Sequence, residues 1–270
     1  MGFVANARMY SVNPQAAAAW KELFGWLAQA SGVDLDILDH AFPLPLVDLW
    51  SRTDLACAFM CGFPFMLASQ RPRPVAAPVP ARAPVAGRPL YATCLVVRAV
   101  SDFDTIEDTF GGRLGYTVSD SHSGYNALRH HLLPYFRQRG ARLYCKSVGP
   151  LTTPRRVIDA VLAGDIDVGP LDGYALDLML HHQPELASQI RVVAVTDPAP
   201  VPFLVASPGC PDEIVTRLQA TLATFATAPA CAGLRDRLCL DAFAPVALDD
   251  YGLMLRWDTE ARVAGYPQPA

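Results

Sequence analysis

Apolar residues recur on one helical face at Ala17, Trp20, Leu23, Phe24 and Leu27, bracketed by Asn13 and Pro14 before them and Gly32 after. Asn is a good cap, Pro suits a first helical turn and Gly ends a helix readily, so a helix is predicted from Pro14 until Gly32 stops it. Phe3 to Met9 reads as a strand before it, and Leu46 to Ser51 as a short helix after it. The run "LACAFMCGFPFMLA" is continuously apolar but broken by Gly62 and Pro64, and it is too short to span a bilayer. It predicts a buried strand, Leu55 to Met60, leading into a turn. A Pro, Arg and Ala-rich stretch from Arg71 to Pro89 reads as a link with one short apolar segment, "PVAAPV", that suits a strand. "LYATCLVV", Leu90 to Val97, is then a fully buried strand.

The middle third alternates regularly. Strands at 113–118, 143–148 and 166–170 are each followed by a helical pattern, at 124–133, 154–163 and 174–181, and a strand at 190–195 closes the series. Such alternation predicts a parallel sheet with helices on its faces. The helix at 154 is the best marked, with Thr153 as cap, Pro154 at its start and Gly164 at its end. Beyond "VPFLVASPG" a further helix begins near Pro211 with Ile214, Leu218, Leu222 and Phe225 on its apolar face, and another lies near 249–263. The predicted organisation is α/β with two lobes. Residues 98–196 form a lobe inserted between 1–97 and 197–270, and crossing strands near Cys94 and Val205 form a hinge.

Composition narrows the function classes. With 270 residues, 51% apolar and 18% charged, the chain can bury a large core. A net charge of −4 without any Lys/Arg run argues against a nucleic-acid surface, which draws on clustered positive charge. The opening "MGFVANARMY" has no basic leader or long apolar segment, so no signal peptide is expected in the chain as given. Seven cysteines without a C-x-x-C pair predict buried free thiols rather than disulfides.

"GYTVSDSHSGYNALRHHL", residues 115–132, crowds small polar residues where a strand hands over to a helix. A nucleophile elbow needs G-x-S-x-G, and Ser119 and Ser123 stand where the glycines around Ser121 belong, so serine hydrolysis is excluded. Adjacent histidines at 130/131 and 181/182 point about 100° apart on a helix, and H-E-x-x-H is absent, so no metal is expected. An anion cradle fits better. Unpaired amides at a helix start carry partial positive charge, Ser121 and Ser123 add hydroxyls, and Gly124 allows close backbone approach. A plain helix cap at Ser121 or Ser123 explains the same letters.

Asp172 and Tyr174 lie past a strand end at the same predicted sheet edge, where ligands bind in open α/β sheets. Asp172 either accepts from an amine or hydroxyl of the ligand or caps the next helix. From the other lobe, Arg8, Tyr10, Cys61, Gly62 and Phe63 are candidates for a charge, a phenol, a small turn and an aromatic wall.

The order "ANARMY", "DLACAFMCGFPF", "EDTFGGRLGYTVSDSHSGYNALRHHL" and "VIDAVLAGDIDVGPLDGYALDLM" resembles the phosphate/phosphonate substrate-binding proteins of ABC transporters across nearly the whole chain. The resemblance implies a type II periplasmic-binding-protein fold, each lobe a mixed, mostly parallel sheet flanked by helices, the two joined by a two-strand hinge. It implies Ser121 and Ser123, with the following Gly124 and Tyr125 amides, as anion ligands and Asp172 as acceptor for a ligand amine. His122 stands where the family usually has a further hydroxyl residue, and Thr153 or Pro154 where phosphonate binders can place a histidine. The expected function is a non-enzymatic solute-binding protein, monomeric and without cofactor or membrane insertion. It closes on a small anionic or zwitterionic ligand such as phosphonate or phosphate, with an ABC-transporter permease as partner and a periplasmic location. Two alternatives stay open on the same fold: a cytoplasmic enzyme of cofactor or small-molecule metabolism, and a ligand-sensing domain.

Overall fold

The computed structural model describes residues 2–82 and 85–270. The chain forms two compact units, Met1–Leu90 with Pro200–Asp249 and Tyr91–Ala199 with Asp250–Ala270. These boundaries differ from the expected ones at 91–97 and at the C-terminus: the strand holding Cys94, expected to cross between lobes, pairs wholly within the second unit, and the one holding Val205 pairs within the first. Residues 250–270, expected in the first lobe, belong to the second unit, because helix Gly252–Val263 packs its Met254, Trp257 and Ala261 face against helix Leu128–Arg139.

In the first unit the opening helix runs Pro14–Ser31, with Asn13 Oδ1 accepting the Ala16 N–H at 2.8 Å and Gly32 ending it at φ 63°. Its buried stripe of Ala16, Ala19, Trp20, Leu23, Phe24 and Leu27 covers part of a six-stranded sheet. Across that sheet the strands come in the order Leu240–Ala244, Arg73–Pro80, Phe203–Ala206, Leu55–Met60, Phe3–Asn6, Leu35–Ile37. Phe3–Asn6 is parallel to both its neighbours, and the other three pairings are antiparallel. Leu55–Met60 is buried at every position, as a strand with partners on both sides and cover on both faces must be.

Within the stretch read as a link from Arg71 to Pro89, the "PVAAPV" segment is a strand as expected, running Arg73–Pro80, while residues 83 and 84 of the stretch lie outside the described residues. A strand with three prolines is unusual, since Pro cannot donate to a ladder. Here Ala76 stands opposite Leu204 and Pro80 opposite Leu240, with register shifts against both partners. Dividing its pairing between two neighbours accommodates Pro74, Pro78 and Pro80.

In the second unit, Thr93–Arg98 lies antiparallel to both Ile190–Val195 and Gly169–Asp172. Arg113–Gly115 is parallel to Lys146–Val148, and Leu114 bridges Val168 in the parallel sense. The sheets are mixed, as expected, but antiparallel pairings outnumber parallel ones among the described strands, so "mostly parallel" is corrected. Periodicity locates a strand but carries no information on its direction. The core gathers Leu95, Val97, Leu114, Leu128, Leu132 and Val168. The helix expected to stop near Leu133 carries Pro134 inside it and continues to Arg139, where Gly140 at φ 63° ends it. Cys57, Cys94, Cys145, Cys210 and Cys231 are free thiols, and Cys145 is the exposed one of them.

Candidate functional site

Three parallel segments of the second unit end at one edge of its sheet, at Gly115, Val148 and Asp172. The loops leaving them are stitched together. Tyr116 N–H donates to Val148 O at 3.0 Å, Leu151 N–H to Tyr116 O at 3.0 Å and Thr152 N–H to Thr117 O at 3.2 Å. A Cβ on Gly149 would lie 2.7 Å from the Tyr116 ring, so that crossing needs a glycine.

The Ser121 side chain caps the helix that follows, accepting the Gly124 N–H at 3.0 Å. The first turn, His122–Ala127, is a widened i→i+5 turn, with Asn126 N–H donating to Ser121 O at 3.1 Å. Ser121 is therefore engaged as a cap, which leaves its hydroxyl proton to donate. Ser123 differs. Its carbonyl accepts from Thr93 Oγ1 at 3.2 Å, while its amide and its hydroxyl have no partner among the described residues. Thr93 also stands opposite Asp172 in the ladder, so Ser123 and Asp172 flank one side chain.

Gly124 has a different reason from the expected one. A Cβ there would lie 1.8 Å from Thr117 Oγ1, so the glycine makes room for Thr117 rather than for a ligand. Thr117 is a residue that sequence reasoning missed. Its buried hydroxyl has no hydrogen-bond partner among the described residues, and only its place two residues past the end of strand Arg113–Gly115 could have drawn attention to it.

His122, expected beside the ligand, turns its ring into the unit. It is 1% exposed, stacks on Trp257 with centroids 5.3 Å apart, and accepts at Nδ1 from Asn126 Nδ2 at 3.2 Å, which assigns its proton to Nε2. Burial, helped by nearby His130, pulls its pKa down to about 3. Below an ordinary pKa of 6.5 the unfolded chain takes up a proton that the folded one refuses, so stability falls as pH drops from 6.5 towards 3. Urea unfolding at pH 7 and pH 5 should differ by about 2 kcal/mol from this group, above the range where carboxylates titrate. His122→Phe should remove most of that slope, leaving the smaller part due to His131, whose pKa burial also lowers. An undiminished slope in the variant would refute this assignment.

Tyr125 packs edge-on to Tyr116 at 5.5 Å and donates to Pro267 O at 3.2 Å. Asp172 caps helix Gly173–His182, its Oδ1 accepting the Ala175 N–H at 3.0 Å, and Tyr174 is buried behind it. Thr153 caps helix Pro154–Ala163 through the Arg156 N–H at 3.3 Å. At this edge three capping side chains, Ser121, Thr153 and Asp172, begin three helices.

In the first unit, Arg8 and Cys61 follow the carboxyl ends of the adjacent parallel strands Phe3–Asn6 and Leu55–Met60. Asn6 fixes the first turn by accepting the Arg8 N–H at 2.8 Å and donating to Leu38 O at 2.7 Å. Arg8 Nη1 is buried with no hydrogen-bond partner among the described residues, and burial lowers its pKa. Cys61, Gly62 and Phe63 are buried where helix Gly62–Leu67 begins. Tyr10 is a core residue, edge-on to Phe59 at 4.8 Å and stacked on Trp20 at 6.5 Å, rather than a phenol offered at a sheet edge.

A family model described as the periplasmic substrate-binding protein of phosphonate ABC transporters matches residues 10–251. The chain belongs to that family. Its members bind a substrate for a transporter and are not enzymes, so the enzymatic alternative is not carried forward. No curated protein matches. Among solved structures, a binding protein component of an ABC phosphonate transporter from Pseudomonas aeruginosa is similar at TM-score 0.80 and 17% identity, over 98% of this chain and 88% of that one. PhnD1 from Prochlorococcus marinus, in complex with methylphosphonate, is similar at TM-score 0.73 and 14% identity, over 96% and 98%. A Xanthomonas citri protein bound to ATP is similar at TM-score 0.66 and 19% identity, over 97% and 98%. The fold is that of the type II periplasmic binding proteins. No helix among the described residues is long and apolar enough to cross a membrane.

Proposed function

We propose that this protein binds a phosphonate or a closely related oxyanion, and that residues 121–125 hold the anionic head. The observation that carries the reading is Ser123: an amide and a hydroxyl, both without partners among the described residues, at the positive end of a long helix. Two such donors converging at one residue are what an oxyanion accepts from. The first unit's candidate is Arg8, whose buried Nη1 an anionic oxygen would satisfy. Asp172 is the proposed acceptor for a ligand amine, and Thr153, Cys61, Gly62 and Phe63 are further proposed contacts. The chain would work as a monomer in the periplasm, delivering its ligand to a permease, and fractionation of the host cell tests the location.

Thermal unfolding with methylphosphonate tests the binding reading. At 100 times its dissociation constant a ligand adds about 2.7 kcal/mol, which raises Tm by about 5 to 10 °C for a protein of this size. ATP and a dicarboxylate such as adipate serve as comparisons, and an aminoalkylphosphonate tests Asp172. No shift with any phosphonate or phosphate would end this reading.

A further inference from the structure

Asn126 and Arg129, one turn apart behind the anion segment, are 0% and 1% exposed. Arg129 donates through Nη2 to Asn126 Oδ1 at 3.0 Å and to Asp258 Oδ1, and through Nη1 to Pro267 O at 2.9 Å. Asn126 passes the chain on, donating from Nδ2 to Met254 O at 2.9 Å and to His122 Nδ1 at 3.2 Å, while its own N–H closes the widened turn on Ser121 O. Asp258 is tied in turn to Arg262 at 2.8 Å. Burial works against the Asp258 carboxylate, yet the bonds from the two arginines outweigh it and hold its pKa below the usual range.

The widened turn matters for direction. An i→i+5 turn places one more residue in the turn than an α-helix does, so it rotates everything before Ala127 by about 100° relative to the helix body. The Ser123 amide and hydroxyl point where they do only while that extra residue is kept. Asn126 is the residue that keeps it, through its backbone to Ser121 and its side chain to His122, Met254 and Arg129. A stability role alone would be served as well by apolar side chains of similar volume, because burying a charge is costly.

We propose that the buried Asn126–Arg129–Asp258 chain is a positioning device, which fixes the widened turn and so aims Ser123 at the ligand. Its effect on affinity rests on the function proposed above; its effect on the turn does not. The test uses the full chain carrying Asp258→Asn, which keeps the shape and removes the charge. Amide hydrogen exchange should quicken by about tenfold or more at Gly124 and Asn126 while helix Pro154–Ala163 is unchanged. The dissociation constant for methylphosphonate should rise by about tenfold. Arg129→Lys, which keeps the charge but loses the fork, should reproduce both effects. Unchanged exchange at 124 and 126 would overturn the proposal. So would faster exchange with unaltered affinity, or a uniform loss of protection across the second unit, which would mark the chain as general support. If the wild type binds no methylphosphonate, the proposed function fails and the device stands or falls on exchange alone.

Discussion

Ser123→Asp should abolish the methylphosphonate-induced rise in Tm while leaving the unliganded protein as stable as the wild type. The carboxylate would sit in the first turn of the helix, where negative charge is favoured by the helix dipole and by the partnerless Ser123 amide. It would occupy the electrostatic role of the ligand's own head and repel it. Binding should weaken by a factor of about 100 or more, since a charge-assisted bond worth about 1.5 to 3 kcal/mol is lost and like-charge repulsion is added. Ser123→Ala, which removes only the hydroxyl, should keep part of the affinity. Calorimetry on the three proteins gives the comparison. A Ser123→Asp protein that still shows the wild-type shift would place the anion somewhere other than residues 121–125.

Gly124→Ala should destabilise the protein by about 3 kcal/mol, at the upper end of overpacking costs. The added methyl would lie 1.8 Å from Thr117 Oγ1 and 2.7 Å from Thr117 Cβ, a separation that no rotation of either small side chain relieves. Thr117 is itself held, since its carbonyl accepts from Thr152 and its N–H donates to Gly124 O at 3.2 Å. Thr117→Gly in the same chain should therefore recover most of the loss. The two substitutions should couple by about 0.5 to 3 kcal/mol in a double-mutant cycle read by urea unfolding. Additive effects would mean that Gly124 is required for something other than the space Thr117 fills.

The parts of this fold that were readable from sequence are those where one short-range rule decides. Asn13, Pro14 and Gly32 punctuate the first helix, and Thr153, Pro154 and Gly164 punctuate the one at 154, and the structure places both elements within a residue of those signals. Strand direction was not readable, because Thr93–Arg98 carries the same apolar run whichever way its neighbours run. The strand Arg73–Pro80 was readable as the short apolar segment "PVAAPV", but its partners were not, because its pairing is set by residues over a hundred positions away. At the candidate site, the capping alternatives for Ser121 and Asp172 are realised in the structure alongside any ligand role. His122 and Tyr10 read as site residues because polar letters near a strand end look alike, whereas Trp257, Asn126, Trp20 and Phe59 decide which way the rings turn. Asn126 and Arg129 gave no signal, since their partners Met254, Asp258 and Pro267 lie about half a chain length away.

The return of residues 250–270 to the second unit has a consequence for synthesis and for protein engineering. As the chain leaves the ribosome, residues 91–199 emerge well before the helix that covers Leu128 and supplies Asp258 to the buried guanidinium of Arg129. That unit can reach its final form only once residues 250–270 have been made, after the Pro200–Asp249 segment that completes the first unit. A cassette cut at 91 and 199 for grafting or display would carry an uncovered apolar face and an unmatched interior cation, and a workable excision must bring residues 250–270 with it.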